Sequence, residues 1–214
     1  MRRRNLRDEF TNLPNILTML RVVVIPFVLY FIDNRSQVRS FIAMVLYLAA
    51  SITDFLDGYL ARKRGQVSIL GKFLDPLADK LIVMAALVVL VDVDRLPSWL
   101  VVVLLARELA ITGLRSIASS EGLVIPAGQE GKYKTALQLV GILFLLVHFR
   151  YPLLGTHLWV DFHVVGLYTL YVSLGFSVLS AFKYLKLFVA ATEANSRAAE
   201  APSETAPATP VSGS

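Results

Sequence analysis

The chain has 214 residues, with 21 Lys and Arg against 16 Asp and Glu and a formal charge of +5. Hydrophobic residues make up 56% and charged residues 17%, with a mean hydropathy of +0.62. Soluble domains run about 45–50% apolar and about 25% charged, so this composition argues against both a soluble domain and wholesale disorder. With no cysteine, disulfides, thiolate metal sites, Fe–S clusters and cysteine nucleophiles are excluded.

A bilayer span takes about 20 mostly apolar residues. Six stretches qualify in chain order: 15–32, 38–60, 74–91, 97–118, 135–149 (the shortest) and 162–188. Helices are expected throughout, because open sheet edges are not tolerated in hydrocarbon. Ahead of the first span, Leu6 and Phe10 stand amid Arg2, Arg3, Arg4 and Arg7, which predicts a short helix on an anionic membrane surface. Asp33 to Gln37 has turn composition, Pro97 marks a helix start, and three glycines with Pro126 make 121–131 a loop. From Ala191 the chain turns to Ala, Pro, Ser, Thr and Glu and is expected to be disordered. The fold class is therefore an all-α polytopic membrane protein, with one embedded domain over 1–190 and a tail over 191–214.

Orientation follows from the basic residues. With the N-terminus inside, fifteen Lys and Arg fall in inner segments, and four, Arg35, Arg39, Arg95 and Arg150, fall in outer ones. Both termini are then cytoplasmic. The basic excess follows a membrane pattern and needs no nucleic-acid partner. Trp99 and Trp159 fall at outer span ends, where an aromatic belt places them. His148, His157 and His163 are also outside and carry no catalytic expectation.

Charge inside a span costs about 2.5–3.5 kcal/mol per residue at mid-helix. Asp54 and Asp57 nevertheless end the second span, and Asp75 and Asp79 begin the third. All four lie in the cytoplasmic half. At about 100° per residue, Asp54, Asp57, Gly58 and Ala61 share one helical face, and Gly71, Asp75, Ala78 and Asp79 share another. Converging carboxylates repel unless protonated or bridged by metal. An all-oxygen set suits Mg²⁺ or Mn²⁺, which commonly hold substrate phosphates and can clamp both oxygens of an in-line displacement. Small Gly58 and Ala61 let a ligand approach the backbone.

A second, positive set comprises Arg107 and Arg115 in the fourth span and Lys132 and Lys134 at the start of the fifth. Together with Arg21 they can reach the same cytoplasmic-side space, which suggests a second anionic group, such as a phosphate. The rival reading for the arginines is structural pairing, since Glu108 lies on the Arg115 face. Arg21 could instead snorkel to the interface.

Asp54-x-x-Asp57-Gly58-x-x-Ala61-Arg62, then eight residues, then Gly71-x-x-x-Asp75-x-x-x-Asp79, resembles the signature of the CDP-alcohol phosphatidyltransferases at every fixed position. The resemblance runs over about 12–140. It includes Asn12 to Arg21, Ala106 to Arg115 and Gly131 to Thr135, which resemble the branch whose acceptor is glycerol 3-phosphate. It implies six spans, a homodimer, and CDP-diacylglycerol and glycerol 3-phosphate as substrates. By the same resemblance, Asp54, Asp57, Asp75 and Asp79 hold two divalent ions, Mg²⁺ or Mn²⁺, and Asp79 is also the general base. Gly58, Ala61, Arg62, Ser68 and Gly71 contact the CDP moiety, with Asn15 and Thr18 closing that pocket. Arg107, Arg115 and Lys132 are the candidates for the acceptor phosphate.

Three rivals stand beside this. A carboxylate-lined ion transporter explains buried Asp residues but not the Gly-x-x-Ala-Arg spacing. A membrane prenyltransferase also places Asp-rich helices on a diphosphate, with different intervals. A sister enzyme using serine, an inositol phosphate or phosphatidylglycerol as acceptor shares the signature, and the acceptor pocket decides between them.

Overall fold

In this computed structural model the described residues are 13–33, 35–64, 69–123, 125, 128–152 and 159–200. Side chains are described over the same ranges except 13–18, 54–64, 69–79, 130, 196 and 198–200. The expected N-terminal helix around Leu6 and Phe10, Ser68, His157 and the tail beyond Glu200 lie outside the described residues.

Each apolar stretch is a helix: α1 Leu13–Phe31, α2 Gln37–Arg64, α3 Ile69–Asp92, α4 Ser98–Ser120, α5 Gln129–Val147 and α6 Phe162–Glu200. A helix satisfies its backbone polar groups internally, so long apolar runs bounded by turn formers take this form. Pro97, with φ −69° and ψ 132°, stands at the N-cap of α4 as its sequence predicts. The α4–α5 loop leaves its helix through Gly122 at φ 70°, a left-handed conformation that favours glycine.

Two features differ from the sequence expectation. Between α5 and α6 the chain makes a small antiparallel ladder, β1 Arg150–Pro152 with β2 Trp159–Asp161. Asp161 anchors it, taking the Arg150 Nε–H at 2.9 Å and capping α6 through the Val164 N–H at 3.2 Å. The Arg150 hydrogen bond outweighs burial and holds the Asp161 carboxyl below its usual range. The second difference is the length of α6, which continues to Glu200 rather than giving way at Ala191. Alanine is the best helix former, and the Glu193–Arg197 ion pair spaced i,i+4 at 3.6 Å supports that run.

By length and composition, one stretch among the described residues, Phe162–Asn195, is long and apolar enough to cross a membrane; Met19–Phe31 and Gln37–Thr53 are shorter apolar stretches. Large apolar side chains also face outward on several helices, including Phe27, Tyr30, Val102, Leu109 and Tyr168.

Helix α1 packs on α2 and α3, α2 and α3 both meet α5, and α4 meets α3 and α6. Helices α5 and α6 cross closely at two glycines. A Cβ on Gly166 would lie 2.9 Å from the Leu145 backbone nitrogen and 3.0 Å from the Gly141 carbonyl oxygen. The core takes Val28, Tyr47, Leu90, Leu100, Leu145 and Leu170, one from each helix in turn. Val28, Leu90, Leu100, Leu145 and Leu170 lie toward the end where the connections α1–α2, α3–α4 and α5–α6 meet, and Tyr47 borders the cavity described below. At that end Arg95, 1% exposed, donates to the carbonyls of Asp33, Leu145 and Leu146 and to Ser40 Oγ at 2.6–3.0 Å. Burial draws its pKa down to about 10, against the pull of Asp33, so it stays charged at neutral pH. One end is thus closed by packing, and the opposite half is left for a cavity.

Candidate active site

A cavity of about 840 Å³ opens in that opposite half. It is lined from α1 by Arg21, from α2 by Tyr47, Ala50 and Ser51, from α3 by Lys80, Ile82 and Val83, and from α4 by Arg107, Glu108, Thr112 and Arg115. Lys132, Lys134, Thr135 and Gln138 of α5 and Ser180, Lys183 and Tyr184 of α6 complete the polar lining. Every helix contributes to the lining. Seven cations and a single carboxylate, Glu108, stand on the described lining. Such an excess of positive charge in a concave, partly apolar space attracts anions.

Glu108 organises one wall. Its Oε2 receives the Lys134 ammonium in a short contact and Arg107 Nη1 at 3.2 Å. Its Oε1 lies 4.0 Å from Lys80 Nζ. Lys80 donates to Thr112 Oγ1 at 2.6 Å, and Thr112 in turn donates to the Glu108 carbonyl at 2.8 Å. Arg107 Nε reaches across to the Ser177 carbonyl at 2.9 Å, and Ser173 Oγ donates to the Lys134 carbonyl at 3.0 Å. Helices α3, α4, α5 and α6 are therefore tied together around one carboxylate.

The other wall is less committed. Arg115 lies over the ring of Tyr184, 5.7 Å from its centroid, and makes no hydrogen bond or ion pair among the described residues. Lys132 likewise has no such partner among them. Arg21, 3% exposed, is drawn into the cavity lining rather than out to the interface. Arg107, Arg115 and Lys132, the sequence candidates for a phosphate, thus share one cavity. Of these, Arg107 is paired with Glu108 at 3.2 Å, whereas Arg115 makes no ion pair among the described residues.

The signature residues continue the same faces by helical register. On α2, Asp54 falls within about 40° of Tyr47 and Ala50, and Asp57, Gly58 and Ala61 follow it. On α3, Asp79 falls within about 60° of Ile82 and Val83, with Asp75 one turn before it. Asn15 and Thr18 are in α1, Arg62 in the last turn of α2 and Gly71 in the first turn of α3. The side chains of these residues lie outside those described. As a residue type, four carboxylates on two helices offer only oxygen, which suits hard divalent cations. Among the remaining described residues no three His, Asp or Glu gather to hold a metal.

Sequence reasoning passed over Glu108 as a partner for Lys134, Lys80 as part of the lining, and Tyr184. One signal was available for Glu108: a carboxylate in the middle of an apolar helix is costly and demands a partner. Tyr184 carried none, since an aromatic residue is ordinary in such a helix.

A sequence model of the family "CDP-alcohol phosphatidyltransferase" matches residues 11–191. The chain belongs to this family. It is 40% identical over 167 residues to the CDP-diacylglycerol–glycerol-3-phosphate 3-phosphatidyltransferase of Bacillus subtilis (strain 168), covering 70% of this chain and 86% of that protein. It is 34% identical over 178 residues to the protein of the same name from Rickettsia bellii (strain RML369-C), covering 82% and 94%. A "Probable phosphatidylglycerophosphate synthase" of Mycobacterium tuberculosis (strain ATCC 25618 / H37Rv) is 36% identical over 183 residues, covering 84% and 82%. The chain is accordingly an enzyme, a membrane-associated phosphatidyltransferase.

Proposed function

We propose that this chain transfers the phosphatidyl group of CDP-diacylglycerol to the 1-hydroxyl of glycerol 3-phosphate, giving phosphatidylglycerophosphate and CMP for anionic phospholipid synthesis. The observation that carries the acceptor assignment is the cavity whose described lining holds seven cations and one carboxylate, on the faces that lead into the Asp signature. The relatives named above support the same acceptor through their printed names.

Asp54, Asp57, Asp75 and Asp79 would hold two divalent cations, Mg²⁺ or Mn²⁺. When bound, such ions neutralise the diphosphate and stabilise charge on the departing CMP. Gly58, Ala61, Arg62, Ser68 and Gly71, with Asn15 and Thr18, receive the CDP moiety. Arg115, Lys132 and Arg107 orient the acceptor through its phosphate. Asp79 takes the proton of the 1-hydroxyl. The acceptor oxygen forms its bond to the phosphatidyl phosphorus as the bond to the CMP oxygen breaks.

The domain over 1–190 sits in the inner membrane with its six helices as spans and both termini cytoplasmic, and it works as a homodimer. Outward-facing apolar side chains on several helices support a lipid surround. The lipid tails of the donor then stay in the bilayer while a water-soluble acceptor enters from the positively lined side.

The test is CMP release by the enzyme purified in detergent with Mg²⁺ or Mn²⁺, comparing glycerol 3-phosphate, serine and inositol phosphate. Glycerol 3-phosphate is expected to give the highest kcat/KM. Faster turnover with another acceptor would reassign the pocket to a sister activity.

A further inference from the structure

We infer that Glu108 is a specificity-determining residue whose free carboxylate oxygen receives the non-reacting 2-hydroxyl of the acceptor. The inference rests on the acceptor assignment just made and deepens it. A polyol phosphate presents two chemistries to a protein: an anion, which needs donors, and hydroxyls, which need acceptors. The cavity answers the anion many times over. Glu108 is the one carboxylate on its described lining.

The two oxygens of Glu108 are not equivalent. Oε2 is occupied by Lys134 and Arg107. Oε1 receives no hydrogen bond among the described residues, and the cation facing it, Lys80, stands off at 4.0 Å because its ammonium donates to Thr112. A carboxylate oxygen has two lone pairs, so Oε1 keeps its accepting capacity. Oε2, held by two cations, fixes the direction in which Oε1 points.

Three hydroxyls of the wall are weaker candidates. Thr112, Thr135 and Ser51 spend their protons on helix carbonyls, and their neutral oxygens make weaker acceptors than a carboxylate. With the phosphate drawn to Arg115 and Lys132, which have no ion pair among the described residues, a hydroxyl on the adjoining carbon chain has Glu108 as its acceptor.

A substrate lacking only that hydroxyl isolates the contact. The probe is 3-hydroxypropyl phosphate, which keeps the reacting hydroxyl and the phosphate. Wild-type enzyme with Mg²⁺ is expected to favour glycerol 3-phosphate over it by about tenfold or more in kcat/KM, as for a hydrogen bond to a charged group. In Glu108→Gln the preference is expected to fall to within about threefold, with the KM for CDP-diacylglycerol unchanged. A purely structural role would slow both acceptors alike and leave the ratio intact; that result overturns the inference. So does a wild-type enzyme that uses both acceptors equally well, a measurement that needs no variant to fold. Wild-type enzyme that releases no CMP with either phosphate fails at the functional reading itself, and the inference falls with it.

Discussion

Arg115 rests over the aromatic face of Tyr184, with its guanidinium carbon 5.7 Å from the ring centroid. The contact joins α4 to α6 and holds the guanidinium without consuming its hydrogen-bond donors. That is the condition a phosphate-binding arginine needs, since a planar fork held in place loses less entropy on binding. Arg115→Ala should raise the KM for glycerol 3-phosphate about tenfold or more, with a much smaller change in the KM for CDP-diacylglycerol. Steady-state kinetics varying each substrate in turn distinguish this from a structural role, which would move both constants together.

The carboxylate assignment makes a chemical prediction. Asp79→Asn removes the proton acceptor while preserving shape, so turnover should fall by about 10²-fold or more and CDP-diacylglycerol binding should persist. Chelation of divalent ions should abolish CMP release in the wild type, and Mg²⁺ or Mn²⁺ should restore it. Near-normal turnover in the Asn variant would take the base role away from Asp79.

At the close crossing of α5 and α6, Gly166→Ala would set a methyl group 2.9 Å from the Leu145 backbone nitrogen. Backbone cannot swing aside as a side chain can. The expected loss is about 1–3 kcal/mol, the usual cost of overpacking, and glycine at such a crossing is what lets membrane helices approach. Thermal unfolding in detergent measures it. Gly175→Ala, on the same helix with open space where its Cβ would stand, is the control and should be neutral or better.

Two arginines near the closed end of the bundle should behave differently. Arg95 is enclosed and donates to three carbonyls and a hydroxyl. Arg95→Met orphans those acceptors and should cost about 3 kcal/mol or more. Arg150 is largely exposed where it meets Asp161, so Arg150→Ala should cost under about 1 kcal/mol. The Asp161 carboxyl is held below its usual value, so its small contribution is full above the unfolded pKa of 3.8 and is lost as the pH falls through the lowered folded value. Unfolding of wild type and Arg150→Ala should converge in acid, below about pH 4.

The six helices were legible because a long apolar run must satisfy its own backbone groups internally, a demand written in local composition. The faces of α2 and α3 that carry Asp54, Asp57, Asp75 and Asp79 were legible for a similar reason, since helical periodicity needs no partner. Legibility stopped where composition was ambiguous. The Ala-rich run after Ala191 reads as a tail by its polarity and as helix by its propensity, and α6 takes the second course as far as Glu200. The three-residue strands beside Asp161 were too short to leave a pattern.

Sequence alone thus determined the family of the chain, the order of its helices and the acidic and basic residues from which a site can be built. Only the tertiary structure decided which of these residues meet. Lys134 is 26 residues from Glu108, and Arg95 is 50 from the Leu145 carbonyl that it grips. The rotation and crossing of packed helices bring such pairs together, and these depend on side chains from every helix at once. The same packing left Arg115 and Lys132 without an ion pair among the described residues while committing Arg107 to Glu108, a division that three similar cations in a sequence do not reveal.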